Sequence, residues 1–218
     1  FAIYPLDESC STSFLNRIHT FETRKLGDGW HCYKVHYSDE DHERCIQQAK
    51  DNHFIFYMGH GGETQLHGAC AKYGEMPVDS IAIKENKEFY DKKDFIKADN
   101  INAFNGKIFF CFSCNSNRNS SKSLARLSIE CGVETFIGFG NIPTDYIDGN
   151  KFSKRCIAIS KGKIVKIIKY SLFYAVQNNE TVDNLVRIIK LLTCKEIHLL
   201  LNQRNFHGRD SVIKQLCM

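Results

Sequence analysis

The sequence has no internal repeat, no low-complexity stretch and no apolar run approaching the ~18 residues that a membrane-spanning helix requires. A transmembrane segment is therefore not expected. The opening Phe1-Ala2-Ile3-Tyr4-Pro5 has neither an initiator Met nor the basic start of a signal peptide. It reads as the first strand of a domain trimmed from a longer chain. Charge of one sign is also scarce, with 29 Lys and Arg against 25 Asp and Glu, a net charge of +4. The densest basic run, Lys151 to Lys169, alternates Lys with Ile and Val like the wet face of an amphipathic segment. Neither direct nucleic-acid binding nor a membrane partner is expected.

What is present suits a packed domain. With 43% hydrophobic and 25% charged residues, 218 residues can bury one substantial core, alone or with an appendage. Ten cysteines could suggest a disulfide framework. Such frameworks serve small secreted scaffolds that lack a core, and here Cys45, Cys111, Cys131 and Cys156 sit inside apolar patterns. A reducing, cytoplasmic setting is expected.

Periodicity divides the chain into a core over 1–150 and a mainly helical part over 151–218 that packs on it. Phe1 to Leu6 reads as a buried strand, Ser13 to Glu22 as a helix, Trp30 to Tyr37 as a strand and Asp39 to Asn52 as a helix with an acidic first turn. Phe54-Ile55-Phe56-Tyr57-Met58 is a continuous apolar run, as in strands buried on both faces. Residues 61 to 100 are less regular, with a weak helix around Lys92 to Asp99. A second apolar run covers Ile108 to Phe112. Ser120 to Glu130 reads as a helix capped by Ser120 or Ser121, with Leu124, Leu127 and Ile129 facing inward. Val133 to Phe139 reads as a third buried strand. Val182 to Leu201 is strongly amphipathic. Strands alternating with helices predict an α/β fold with a mostly parallel sheet.

Two buried strands end in reactive residues. One continues into Gly59-His60-Gly61-Gly62, the other into Ser113-Cys114-Asn115-Ser116. In a parallel sheet all strand C-termini lie on one edge, and neighbouring strands are about 4.8 Å apart. A thiol and an imidazole would then share one crevice. A free thiol, with a pKa of about 8.5, is mostly protonated at neutral pH. An adjacent imidazole can take its proton and release a thiolate nucleophile. Gly61 and Gly62 let the backbone approach a bound peptide, and the N–H groups of Gly61 and Cys114 are candidate oxyanion donors.

A hydrophobic strand ending in His-Gly, followed after a spacer by a hydrophobic strand ending in a small residue and Cys, resembles the caspase-like clan of cysteine peptidases. That clan also holds separase, legumain and gingipains. The block Phe112-Ser113-Cys114-Asn115-Ser116 is most similar to CHAT peptidases, prokaryotic caspase-like domains found with tetratricopeptide repeats. The resemblance covers roughly residues 1 to 150. It implies a three-layer α/β/α caspase-like fold and a catalytic dyad of His60 and Cys114. It also implies a protein or peptide substrate, no cofactor and no metal, with activation by a protein partner or neighbouring domain in antiviral defence. After the third strand, Ile142-Pro143-Thr144-Asp145 stands where CHAT domains often have Trp-Pro-Val-x-Asp. The Trp is missing, and Asp145 is carried over as a substrate-binding candidate.

Other readings of the same residues remain. Cys111 fits inert packing within a strand. Cys111-x-x-Cys114 could suggest redox or zinc chemistry, with His67 and Cys70 as further ligands, but a mid-strand Cys does not open a helix and nothing holds four ligands in register. Gly59-His60-Gly61-Gly62 could cradle a phosphate in a nucleotide-binding α/β regulator, although it lacks the dinucleotide fingerprint and a Walker lysine. A non-catalytic caspase-like interaction domain would keep the fold and use the site only for binding.

Overall fold

The computed structural model describes residues 1–72, 90–140, 142, 146–147, 150–203 and 205–217. Five strands form one sheet: β1 (Ala2–Pro5), β2 (Cys32–Val35), β3 (Phe54–Met58), β6 (Ile108–Phe112) and β7 (Thr135–Ile137). Their order is β2-β1-β3-β6-β7, and every pairing is parallel. A second, two-stranded antiparallel sheet joins β4 (Gln65–Lys72) to β5 (Tyr90–Lys97), and a third joins β8 (Tyr146–Ile147) to β9 (Asn150–Lys151). The helices are α1 (Asn16–Lys25), α2 (Asp39–Lys50), α3 (Leu124–Glu130), α4 (Lys154–Gln177), α5 (Val182–Leu201) and α6 (Arg209–Leu216). The class is thus α/β with a parallel central sheet and a helical C-terminal part, consistent with the three-layer α/β/α expectation.

The chain forms two compact units, one of Phe1–Ser13 with Cys32–Gly140, the other of Phe14–His31 with Asn141–Met218. In the first, the continuous apolar runs of β3 and β6 become the two central strands. Ile55, Tyr57, Phe109 and Cys111 point into one core with Cys45 and Ala49 of α2 and Leu124 of α3. Phe104 stacks on Phe109 there, ring centroids 5.0 Å apart. The alternate residues Phe56, Met58 and Phe110 are fully buried as well, as a strand covered on both faces requires. In the second unit, α4, α5 and α6 enclose Ile167, Leu200 and Val212.

Helix starts follow local chemistry. The Ser38 hydroxyl accepts from the Asp41 N–H ahead of an acidic first turn, and Thr181 caps α5 by accepting from the Asn184 N–H.

Three expectations need correction. Lys92 to Asp99 is no helix, because Tyr90–Lys97 pairs with β4, and Phe95 and Ile96 are buried beneath it. Pairing and burial outweigh a weak helical preference over polar residues. The helix expected from Ser120 begins only at Leu124, capped by Ser123, and it buries Leu124 and Ser128 while Ile129 is 51% exposed. The strand expected over Val133 to Phe139 shrinks to three half-buried residues at the sheet edge.

The β4–β5 hairpin rests on α2 through His42. This ring lies 5.0 Å from Phe95, and its Nε2 has no hydrogen-bond partner among the described residues. Gly68 admits it: a Cβ there would stand 2.3 Å from Nε2. Burial, aided by Lys93 and opposed by Asp39 and Asp41, pushes the His42 pKa down. The unfolded chain therefore takes up the proton first, so stability present above the ordinary value of about 6.5 is lost as pH falls from there toward the lower folded value. His42→Phe is expected to flatten that limb in urea unfolding followed against pH. Gly68→Ala is expected to cost about 1–3 kcal/mol, a loss reduced when combined with His42→Ala.

Candidate active site

Three strand ends meet on the C-terminal edge of the sheet. Met58 of β3 is in register with Phe112 of β6. His60 and Cys114 each lie two residues further on, at the same level of adjacent strands. Asp7 lies two residues beyond the end of β1, the other neighbour of β3. The chain runs from β1 outward to β2, then crosses to β3 on β1's other side. The β1–β3 junction is therefore the topological switch point, where open α/β sheets place their sites.

Asp7 orients His60. Its Oδ2 is 3.0 Å from Nε2 of His60, and its carboxylate is 2% exposed. Oδ2 also accepts from the Thr12 N–H and hydroxyl, both at 2.8 Å, and from the Ser11 hydroxyl at 3.0 Å. Oδ1 accepts from the Ser9 N–H at 3.0 Å and from its hydroxyl. Burial works against ionisation, but the hydrogen bonds from His60, Ser9 and Thr12 outweigh it and hold the carboxyl well below the usual carboxylate range. An ionised Asp7 accepts only, so the proton of neutral His60 sits on Nε2 and Nδ1 is the basic nitrogen. Ser11 Oγ lies 2.9 Å from the same Nε2.

The main chain around His60 is fixed from behind. The buried Tyr57 hydroxyl lies 2.5 Å from the His60 carbonyl and 2.6 Å from that of His67, with one proton to donate between them. The His67 N–H donates to the His60 carbonyl, and the Gly62 N–H to the Gln65 carbonyl. These bonds flank an isolated antiparallel bridge of Gly61 with Leu66. In such a pair the N–H of Gly61 points away from Leu66. No backbone acceptor takes it among the described residues.

Cys114 stands in a turn held in several places. Asn115 has φ of 55°, a left-handed conformation uncommon outside glycine. Its N–H donates to the Gly140 carbonyl at 2.8 Å. Fully buried Ser116 accepts from the Phe139 N–H at 2.9 Å and lies 3.0 Å from the Ser113 carbonyl. The two loops also interlock. A Cβ on Gly61 would come within 2.6 Å of Ser113 Oγ, so only glycine fits. The Leu124 N–H donates to the Glu63 carbonyl at 2.7 Å, the Ser120 hydroxyl donates to the Glu63 carboxylate, and Arg118 lies 3.7 Å from it.

The strand ends thus set His60 and Cys114 at one level of neighbouring strands and Gly61 against Ser113, while Asp145 lies outside the described residues. Cys114 is half-buried and in no disulfide. Cys111 is fully buried, and burial pushes its thiol up to about 12 despite its contact with Ser113, as suits a packing residue. Among the described residues no group of three or more His, Cys, Asp or Glu side chains is arranged to hold a metal ion, and no helix is long and apolar enough to cross a membrane. Asp7 is what sequence reading missed. Its signal was an acidic residue just past the first strand, in a Ser- and Thr-rich turn suited to solvating a carboxylate. No family model matches this chain, and neither a curated protein nor a solved structure is significantly similar to it.

Asp7→Asn leaves a side chain that can donate to Nε2 and so favour the wrong tautomer. It is expected to slow any reaction that uses His60 as base by roughly 10²–10⁴-fold. The rate of Cys114 modification by a peptide electrophile measures this. In native protein, Cys45 and Cys111 are expected to resist alkylation mapped by mass spectrometry, since burial holds both thiols protonated.

Proposed function

We propose that this chain is a caspase-like cysteine peptidase whose nucleophile is Cys114, with His60 as general base and acid and Asp7 as the group that orients His60. The observation that carries this reading is the level placement of His60 and Cys114 on adjacent parallel strands, with Nε2 of His60 committed to an ionised carboxylate.

Nδ1 of His60 takes the thiol proton, and Sγ of Cys114 attacks the scissile carbonyl carbon. The carbonyl oxygen becomes an oxyanion, for which the outward Gly61 N–H is a donor, joined by the Cys114 N–H. The C–N bond then breaks as His60 returns the proton to the leaving amine, leaving a thioester. Water, deprotonated by His60, hydrolyses that thioester and regenerates the thiol. Asp7 stays ionised throughout and stabilises the imidazolium of both steps.

The substrate is a protein or peptide, and Asp145 contributes to its binding. A reduced thiol nucleophile suits the reducing cytoplasm. The resemblance to CHAT peptidases supports switching by a partner or neighbouring domain, in keeping with a role in antiviral defence.

The test is labelling with a peptide chloromethyl ketone library, mapped by mass spectrometry. Selective modification of Cys114 that disappears in His60→Ala is expected. Proteolysis by activated protein is expected to vanish in Cys114→Ala, and full activity in that variant overturns the assignment. Labelling spread over the exposed cysteines without dependence on His60 favours a non-catalytic interaction domain.

A further inference from the structure

The whole-chain charge of +4 conceals an uneven division. Residues 151–218 carry thirteen Lys and Arg against four Asp and Glu, a net charge of +9, which leaves −5 on residues 1–150. Such an excess on one helical segment is far from a balanced solvated face. The helical unit gathers part of it. Lys163, Lys166, Tyr170 and Tyr174 follow one another on α4 at three- and four-residue intervals, and Arg155 lies eight residues before Lys163, which places the five in one broad stripe about 28 Å long. Tyr170 and Tyr174 are 53% and 51% exposed, unusual for large aromatic rings on a helix that buries Val165, Ile167, Ile168 and Leu172. Arg187, Lys190 and Lys195 of α5 are exposed as well.

The cations are held in place rather than neutralised. Lys163 and Lys166 share the single carboxylate of Glu196 at 2.7 and 2.6 Å, so the trio keeps one positive charge in a fixed position. Between the first turns of α4 and the segment after α5 lies a cleft of about 710 Å³. The Arg155 guanidinium lies over the Phe206 ring there, 5.9 Å from its centroid. The amides of Asn202, Gln203 and Asn205 also line it, with Lys163 and the apolar Ile159 and Leu200 beside them. The cleft therefore offers a flat cationic surface beside groups that both donate and accept hydrogen bonds.

We propose that this face of the helical unit binds single-stranded nucleic acid, phosphates along the cations of α4 and a base in the Arg155–Phe206 cleft. Charge alone would serve an acidic protein equally well. Stacking surfaces and bifunctional amides match the π-face and edge of a base, and a concave amide-lined cleft offers little to a bilayer. The cleft lies wholly within the helical unit, and the proposal does not depend on the peptidase reading.

Fluorescence anisotropy with labelled oligo(dT) and oligo(U) of roughly 20 nucleotides tests it. Saturable binding is expected, falling steeply between about 50 and 200 mM salt. The double variant Arg155→Gln with Lys166→Gln is expected to weaken binding at least about 10-fold and to lower the salt slope by about one to two. Tyr170→Ser with Tyr174→Ser is expected to weaken binding while leaving that slope unchanged, which separates stacking from charge. All four residues are exposed, and thermal melting confirms that the variants remain folded. Absence of saturable binding at low salt, or undiminished affinity in both variants, overturns the proposal. So does binding to phosphatidylserine vesicles that neither oligonucleotide displaces.

Discussion

Parallel pairing of β3 with β1 on one side and β6 on the other is the constraint on which the candidate site depends. Strand spacing fixes the lateral separation of the three ends, and the register of Met58 with Phe112 fixes their height. Both faces of β3 and β6 are buried, so sliding either strand by one residue would turn a whole set of Phe, Ile and Met side chains to the wrong face. The register that protects the core also keeps His60 level with Cys114. The chemistry inherits its precision from packing some distance below it.

Electrostatics supplies what the strands cannot. A carboxylate almost wholly removed from water is costly unless its lone pairs are filled, and Asp7 fills them from three neighbours in its own turn and from His60. The turn after β1 thus solvates the acid internally. His60 receives a partner whose charge does not change with pH over the range in which an imidazole titrates. The contrast with His42 shows the other outcome: a ring buried against Phe95, its Nε2 without a hydrogen-bond partner among the described residues, whose pKa burial pushes down.

Much of this was legible in the sequence where the signal was local and strong. The apolar runs at 54–58 and 108–112 coincide with β3 and β6, and the amphipathic pattern of 182–201 coincides with α5. Legibility failed where tertiary context decides. Tyr90–Lys97 is polar enough to pass for a weak helix, and only its pairing with β4 makes it a strand. Asp7 escaped notice because its importance lies in β1 neighbouring β3, a fact of sheet order that a sequence separation of 53 hides. The uneven charge, by contrast, was written in the composition of two segments and masked by their sum.

The interlock of the two loops has a bearing on cooperativity. Gly61 is pressed against Ser113, and the Glu63 carbonyl and carboxylate are both tied to residues beyond Cys114. Loops that carry function often open at small cost, independently of the body that bears them. These two share anchors with each other and with the first turn of α3, whose Leu124 is in the core. The two loops therefore belong to the same folding unit as the sheet, and their shared anchors favour opening together with it rather than ahead of it.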